Sequence, residues 1–162
     1  MLVQLALVAL ALLVSLVITR QYLMARVDDR IDATLTQEVD EFRALAQTGI
    51  DPVTRAPFDD PRRLLQLHLQ RSIPQTNETL IGLVDGVPVS RVAQEPPARL
   101  DLDPDAVAAF AAAQDTRTGQ VRTERGVVTY RVVPVLVEGS TTRGALVVGV
   151  FRDLERREVD VV

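Results

Sequence analysis

Residues 18–46, ITRQYLMARVDDRIDATLTQEVDEFRALA, contain neither Gly nor Pro, the two residue types that most readily interrupt a helix. From Leu23 the apolar positions are Leu23, Val27, Ile31, Leu35, Val39, Phe42 and Leu45, at steps of three or four residues. They draw one stripe at close to the helical period, with Asp28, Asp29, Asp32, Glu38, Asp40 and Glu41 off it. The spacing predicts an amphipathic helix over 20–46, about 40 Å long at about 1.5 Å per residue. Thr48-Gly49 supplies its stop, because Gly takes the left-handed conformation that ends many helices. A rod this long outreaches a small domain. Its membrane-proximal positions Leu23, Val27, Ile31, Leu35 and Val39 are therefore expected to pair with a second copy in a homodimer.

Upstream lies MLVQLALVALALLVSLVIT, residues 1–19, which carries no charge and only Gln4, Ser15 and Thr19 as polar interruptions. Its length matches the roughly 20 residues needed to cross a hydrocarbon core of about 30 Å. A cleaved signal peptide would need a basic start, a shorter apolar run and a small-residue cleavage site, none of which is present. The expectation is a retained transmembrane helix in the lipid bilayer, residues 1–19, running directly into a signalling helix over 20–48. Arg20, Arg26 and Arg30 follow the apolar run. Taken alone, they would place the next segment in the cytoplasm.

The remainder reads as one small domain. Asp60-Pro61 is an N-cap followed by Pro in the first turn and opens a helix, PRRLLQLHLQRSI. ETLIGLV and VPVSRV flank Asp85-Gly86, a strong hairpin signal, and Pro88 assigns the second strand to an edge or a bulge. Asp103-Pro104 opens an Ala-rich helix, AVAAFAAA. Three strand-like runs, TGQVRTE, VVTYRVVPVLV and TRGALVVGVF, follow before a helical close, DLERREVDVV, that turns apolar at Val159, Val161 and Val162. The order predicts an α+β fold with a five-stranded antiparallel sheet, helices on one face and one face buried.

Composition narrows the chemistry. The chain has 162 residues, a net charge of −4, no Cys and a single His, and all its cationic side chains are Arg. Thiolate catalysis, disulfides and Cys-ligated metals are excluded, and an acidic chain with no basic stripe argues against nucleic-acid binding. No P-loop, nucleophile elbow, HExxH or GxGxxG motif is present, so no enzyme activity is expected of these residues. Three weaker features stand out. His68 falls within the apolar arc of its helix, where it is a hydrogen-bonded side chain at the core edge or, alternatively, a pH sensor. Asp101, Asp103 and Asp105 alternate like the start of a calcium loop. However, Ala106 stands where that loop needs Gly, and Ala112 where it needs Glu. Arg91, Arg122, Tyr130 and Arg131 lie on or beside strands. They are the first candidates for a ligand carrying a carboxylate or phosphate, against the simpler reading of a solvated sheet face.

RVDDRIDATLTQEVDEFRALA with GIDPVTRAPFDDPRRLLQLHLQRSIPQTNETLIGLVDG resembles the N-terminal sensing part of membrane-bound histidine kinases of actinobacteria. GALVVGVFRDLERREVDVV resembles their exit into a second transmembrane helix. The resemblance implies an extracytoplasmic PAS-like or Cache-like sensor domain over 49–151 and an exit helix over 152–162 at the cell membrane. It implies an unidentified extracytoplasmic ligand or partner, and a kinase core outside these residues. That core would use ATP and magnesium and would act on a cytoplasmic response regulator. The implied location outweighs the arginine count. The alternatives are a sensor feeding a chemoreceptor or nucleotide cyclase, and a single-pass anchored interaction or assembly protein.

Overall fold

The computed structural model describes residues 2–159. The side chains at 1–3, 5, 6, 9, 20, 23, 24 and 156–162 lie outside the described set, as do the expected apolar positions Val161 and Val162. Residues Leu2–Thr48 form a single helix, α1, of 47 residues, about 70 Å long at about 1.5 Å per residue. It ends as the sequence indicates. Thr48 Oγ1 donates to the Leu45 carbonyl at 2.7 Å, the Gly49 amide donates to Ala46 O at 3.1 Å, and Gly49 has φ +63°. Among the described residues no helix is long and apolar enough to cross a membrane. Six side chains of the apolar run, those of Met1, Leu2, Val3, Leu5, Ala6 and Ala9, fall outside that set.

After a turn-rich loop come α2 (Pro61–Arg71), the hairpin β1 (Glu78–Val84) and β2 (Val87–Arg91), a 3-10 turn (Leu100–Leu102), and α3 (Pro104–Ala111). Then follow β3 (Arg117–Thr123), β4 (Gly126–Val135), β5 (Gly144–Phe151) and α4 (Arg152–Val159). Both expected N-caps form. Asp60 Oδ1 accepts from the Arg62 amide at 2.7 Å, and Asp103 Oδ1 accepts from Asp105 at 3.0 Å and Ala106 at 3.2 Å. Asp85 and Gly86 both have positive φ, +50° and +78°, as a two-residue hairpin turn that follows the strand twist requires. Pro88 lies on β2, an edge strand whose register shifts opposite Gly82 and Leu83.

The sheet is antiparallel throughout, in the order β2-β1-β5-β4-β3. The expectation that helices cover one face is corrected, because both faces are covered. On one face α1 and α2 pack their apolar sides on Leu80, Leu146, Val148, Val150 and Val133. On the other, Leu100, Ala106 and Phe110 pack on Ile81, Leu83, Val147, Val128, Tyr130, Val132 and Phe151. The reason lies in the central strands. ETLIGLV and GALVVGVF are near-continuous apolar runs, and every residue of β1 is buried. A strand of that kind needs cover on both sides.

A second correction concerns the stripe on α1. Val27, Ile31, Leu35, Val39 and Phe42 are all buried within this chain's own core. They face the sheet and α2, so a second copy cannot use them. The side chain of Leu23 lies outside the described set.

Candidate functional site

The feature with the clearest directional geometry is the seat of α1 on the sheet. Along the buried stripe run two ion pairs from the strands to the helix. Arg131 of β4 reaches Asp32 at 2.6 Å, with further bonds to Thr36 at 2.9 Å and Thr118 at 3.0 Å. Arg152, where β5 becomes α4, reaches Asp28 at 2.7 Å. Partly exposed pairs of this kind contribute little to stability, about 0–1 kcal/mol each, but they fix the register of helix on sheet. Arg152 also shows that the chain leaves the sheet beside the segment of α1 by which it entered. At that exit, Asp153 Oδ2 accepts from the Val127 amide at 2.9 Å, and the Phe151 amide donates to Asn77 O at 2.8 Å. Entry helix, sheet and exit helix therefore meet at one junction.

The four candidate ligand residues do not converge. β2 and β3 lie on opposite edges of the sheet, which separates Arg91 from Arg122. Tyr130 is buried, with its ring edge-to-face on Phe110 at 4.8 Å, and Gly119 opposite leaves the room its hydroxyl occupies. Arg131 points to the other face, into the α1 contacts above. Arg122 is exposed. Arg91 lines a groove of about 570 Å³ with Gln66, Gln70, Ser72, Ser90 and Gln94. Its guanidinium is already committed to Val92 O, Gln94 O and Glu95. A second groove of about 490 Å³ opens between the C-terminal end of α3 and the β1–β2 turn, lined by Leu83, Phe110, Leu136 and Arg143.

The other candidates resolve into structural roles. Asp101 is held by Arg99 through bonds of 2.8 and 2.6 Å. This keeps its carboxyl below the usual carboxylate range. Asp103 caps α3 and Asp105 sits exposed in its first turn. Among the described residues no group of three or more acidic or His side chains is placed to hold a metal ion. Committed to an arginine and to backbone amides, Asp101 and Asp103 cannot turn towards a common centre. His68 is buried, edge-to-face on Phe42 at 5.1 Å, with Ser72 Oγ 3.4 Å from Nε2. Burial lowers its proton affinity, opposed by Glu41. It therefore stays neutral at neutral pH, as a core-edge residue.

Two polar features were not singled out from the sequence. Asp51 is buried in the loop after α1, where Arg63 of α2 binds it at 2.6 Å and the Val53 amide donates at 2.7 Å. The Arg63 hydrogen bond holds its carboxyl below the usual range. The second is a group of carboxylates at the junction itself. Glu78 is only 3% exposed and Glu155 only 7%. Glu78 Oε2 accepts from the Gln75 amide at 3.0 Å, and Glu155 Oε1 accepts from Asn77 Nδ2 at 3.3 Å. Glu78 Oε1 and Glu38 Oε2 are buried without a partner among the described residues. A visible signal existed for Glu38, which lies one turn from both Leu35 and Phe42 beside the stripe. Nothing local could have shown that burial and the charge of Glu78, forty residues later, raise its proton affinity.

Comparison with protein-family models, curated proteins and solved structures finds no match.

Proposed function

We propose that these residues are the extracytoplasmic input module of a membrane-bound histidine kinase. A PAS-like or Cache-like domain would pass its state through α1 and α4 to a kinase core outside this stretch. The observation that carries the reading is the unbroken α1, which joins an uncharged apolar run to the centre of the domain's core. A helix has no slack to absorb a shift or rotation. Because the chain leaves the sheet beside its own entry point, a rearrangement at the junction would reach both connections at once. Two states that differ in that arrangement would be biased by whatever binds the domain.

The reading of residues 1–19 as a lipid-embedded span rests on composition and exposure. Leu7, Val8, Leu10, Leu12, Leu13, Leu16 and Ile18 are each more than half exposed. Spread around the whole helix, they leave no polar side to face water. Homodimerisation, which this class of receptor implies, would then use the apolar run and the exposed flank of α1, since the stripe is committed to the core. ATP, magnesium and a response regulator would belong to the kinase core.

The orientation test uses the absence of Cys from the chain. Ile73 is 90% exposed. Ile73→Cys is expected to react with a membrane-impermeant maleimide in intact cells, with the protein recovered from membranes after alkaline extraction. Labelling only after lysis would put the domain in the cytoplasm, in line with Arg20, Arg26 and Arg30. Recovery in the soluble fraction would remove the anchored reading altogether.

A further inference from the structure

We infer that the turn between β3 and β4, which presents Arg122 and Arg125, binds the phosphate headgroups of anionic lipids in the bilayer that holds residues 1–19. The inference deepens the sensor reading by naming a ligand class, and it rests on the anchored reading of that apolar run.

The sheet register places the turn. Arg122 pairs with Val127 on β4, and Val128 pairs with Phe151, so the turn lies level with the start of α4. There Arg152 meets Asp28 of α1 at 2.7 Å. Further along α1, Arg131 meets Asp32, and Arg43 reaches Thr116 just before β3. The strands therefore lie alongside α1, with the β3–β4 turn at the end from which the apolar run arrives. From Thr19, the last residue of that run, to Asp28 the helix rises about 14 Å. Headgroups occupy about 5–8 Å of that distance on each side of the hydrocarbon core. The gap that remains is roughly one Debye length at physiological salt, about 8 Å.

The side chains at this level suit a phosphate. Arg122 and Arg125 are exposed, and a guanidinium fork binds phosphate oxygens two at a time. On α1, Arg26 Nη2 donates to the Tyr22 hydroxyl at 2.8 Å, with its guanidinium 4.8 Å from the ring centroid. Tyr favours the membrane–water boundary, where its ring and its hydroxyl meet different surroundings. Of the acidic groups here, Glu124 at the tip and Asp29 on α1 are exposed. Asp103 lines a groove with Arg125 but is engaged in capping α3. Two arginines against Glu124 leave the turn cationic in a chain of net charge −4.

The turn is also stiff and joined to the exit. Thr123 Oγ1 donates to Gly126 O at 3.0 Å and accepts from the Arg125 amide at 3.1 Å. Asp153 of α4 accepts from the Val127 amide at 2.9 Å, and Gly126, at φ +109°, leaves the room that Asp153 occupies. A headgroup that draws the two arginines towards the bilayer therefore pulls on the start of α4 and, through Arg152, on α1. The stimulus is then the charge of the bilayer surface rather than a solute.

The test uses chain 1–162 in nanodiscs of phosphatidylcholine, with and without phosphatidylglycerol, each doped with a lipid that carries a nitroxide on its headgroup. With phosphatidylglycerol the amide resonances of 122–126 are expected to broaden. Those of Asp85 and Gly86, at the opposite end of the sheet, are expected to stay sharp. Arg122→Gln and Arg125→Gln should each lower the ratio of seated to unseated turn about fivefold, and added salt should act in the same direction. Both side chains are exposed, so both variants are expected to fold. Resonances at 122–126 as sharp as those at 85–86 in both nanodiscs overturn the site. Broadening that is equal in the two nanodiscs, or that survives in both variants, overturns it as well. Any of these results in a chain that stays in the nanodisc, with external labelling of Ile73→Cys, leaves the sensor reading standing. A chain that does not stay in the nanodisc overturns both.

Discussion

Leu35→Ala is expected to destabilise the folded chain by about 3 kcal/mol and to lower its Tm by roughly 6–12 °C. Leu35 is 1% exposed at the middle of the α1 stripe, in one cluster with Leu64, Leu80, Leu146 and Val148. Truncation removes three carbons and leaves a cavity between a helix and a sheet, two stiff elements that cannot collapse into it. Thermal unfolding monitored by circular dichroism measures the loss directly. The same experiment separates packing within one chain from packing between copies. A core position costs the same at every protein concentration, whereas a dimer position gives a Tm that climbs with concentration. A small loss for Leu35→Ala that depended on concentration would restore the stripe to an interface between copies.

The second large effect concerns the stiffness of α1. Four Gly residues inserted after Met24 would each disfavour the helix by about 1 kcal/mol relative to Ala. The insertion falls before Val27, the first position of the stripe that is buried among the described side chains, so the core that seats the rest of α1 should persist. Nitroxides at Gln21→Cys and Ala44→Cys, both exposed positions, span 23 residues, or about 35 Å of continuous helix. A narrow distance distribution near that value is expected for the parent chain in nanodiscs, and a broad one after insertion. If the parent chain itself gave a broad distribution, the strut would already be hinged and the transmission mechanism would fail. An insertion that left the distribution narrow would mean that something other than helix propensity stiffens this segment.

Much of the local structure was legible because it depends on residues close in the chain. The capping aspartates at 60 and 103, the Asp85-Gly86 turn, the Thr48-Gly49 stop and the edge position of Pro88 all follow from short-range sterics and hydrogen bonding. The number of strands was legible for the same reason, since turn residues separate the apolar runs. The placement of the four ligand candidates was not legible, because a strand residue's chemistry says nothing about which neighbour it meets. Arg131 has the right side chain for an anion and spends it on Asp32. Tyr130, one residue earlier, points to the opposite face and stacks on Phe110. Of the alternating aspartates at 101, 103 and 105, the capping role of Asp103 was legible, whereas the hold of Arg99 on Asp101 was not.

The long helix, its stop and the five strands needed only the sequence, because periodicity, glycine conformations and proline's missing donor act within a few residues. Whether the stripe on that helix would meet another copy or its own sheet was settled only in three dimensions. So was the covering of both sheet faces. Burial is a property of surfaces brought together from distant parts of the chain, and the free energy that selects among such pairings is shared over the whole core rather than written at any one position.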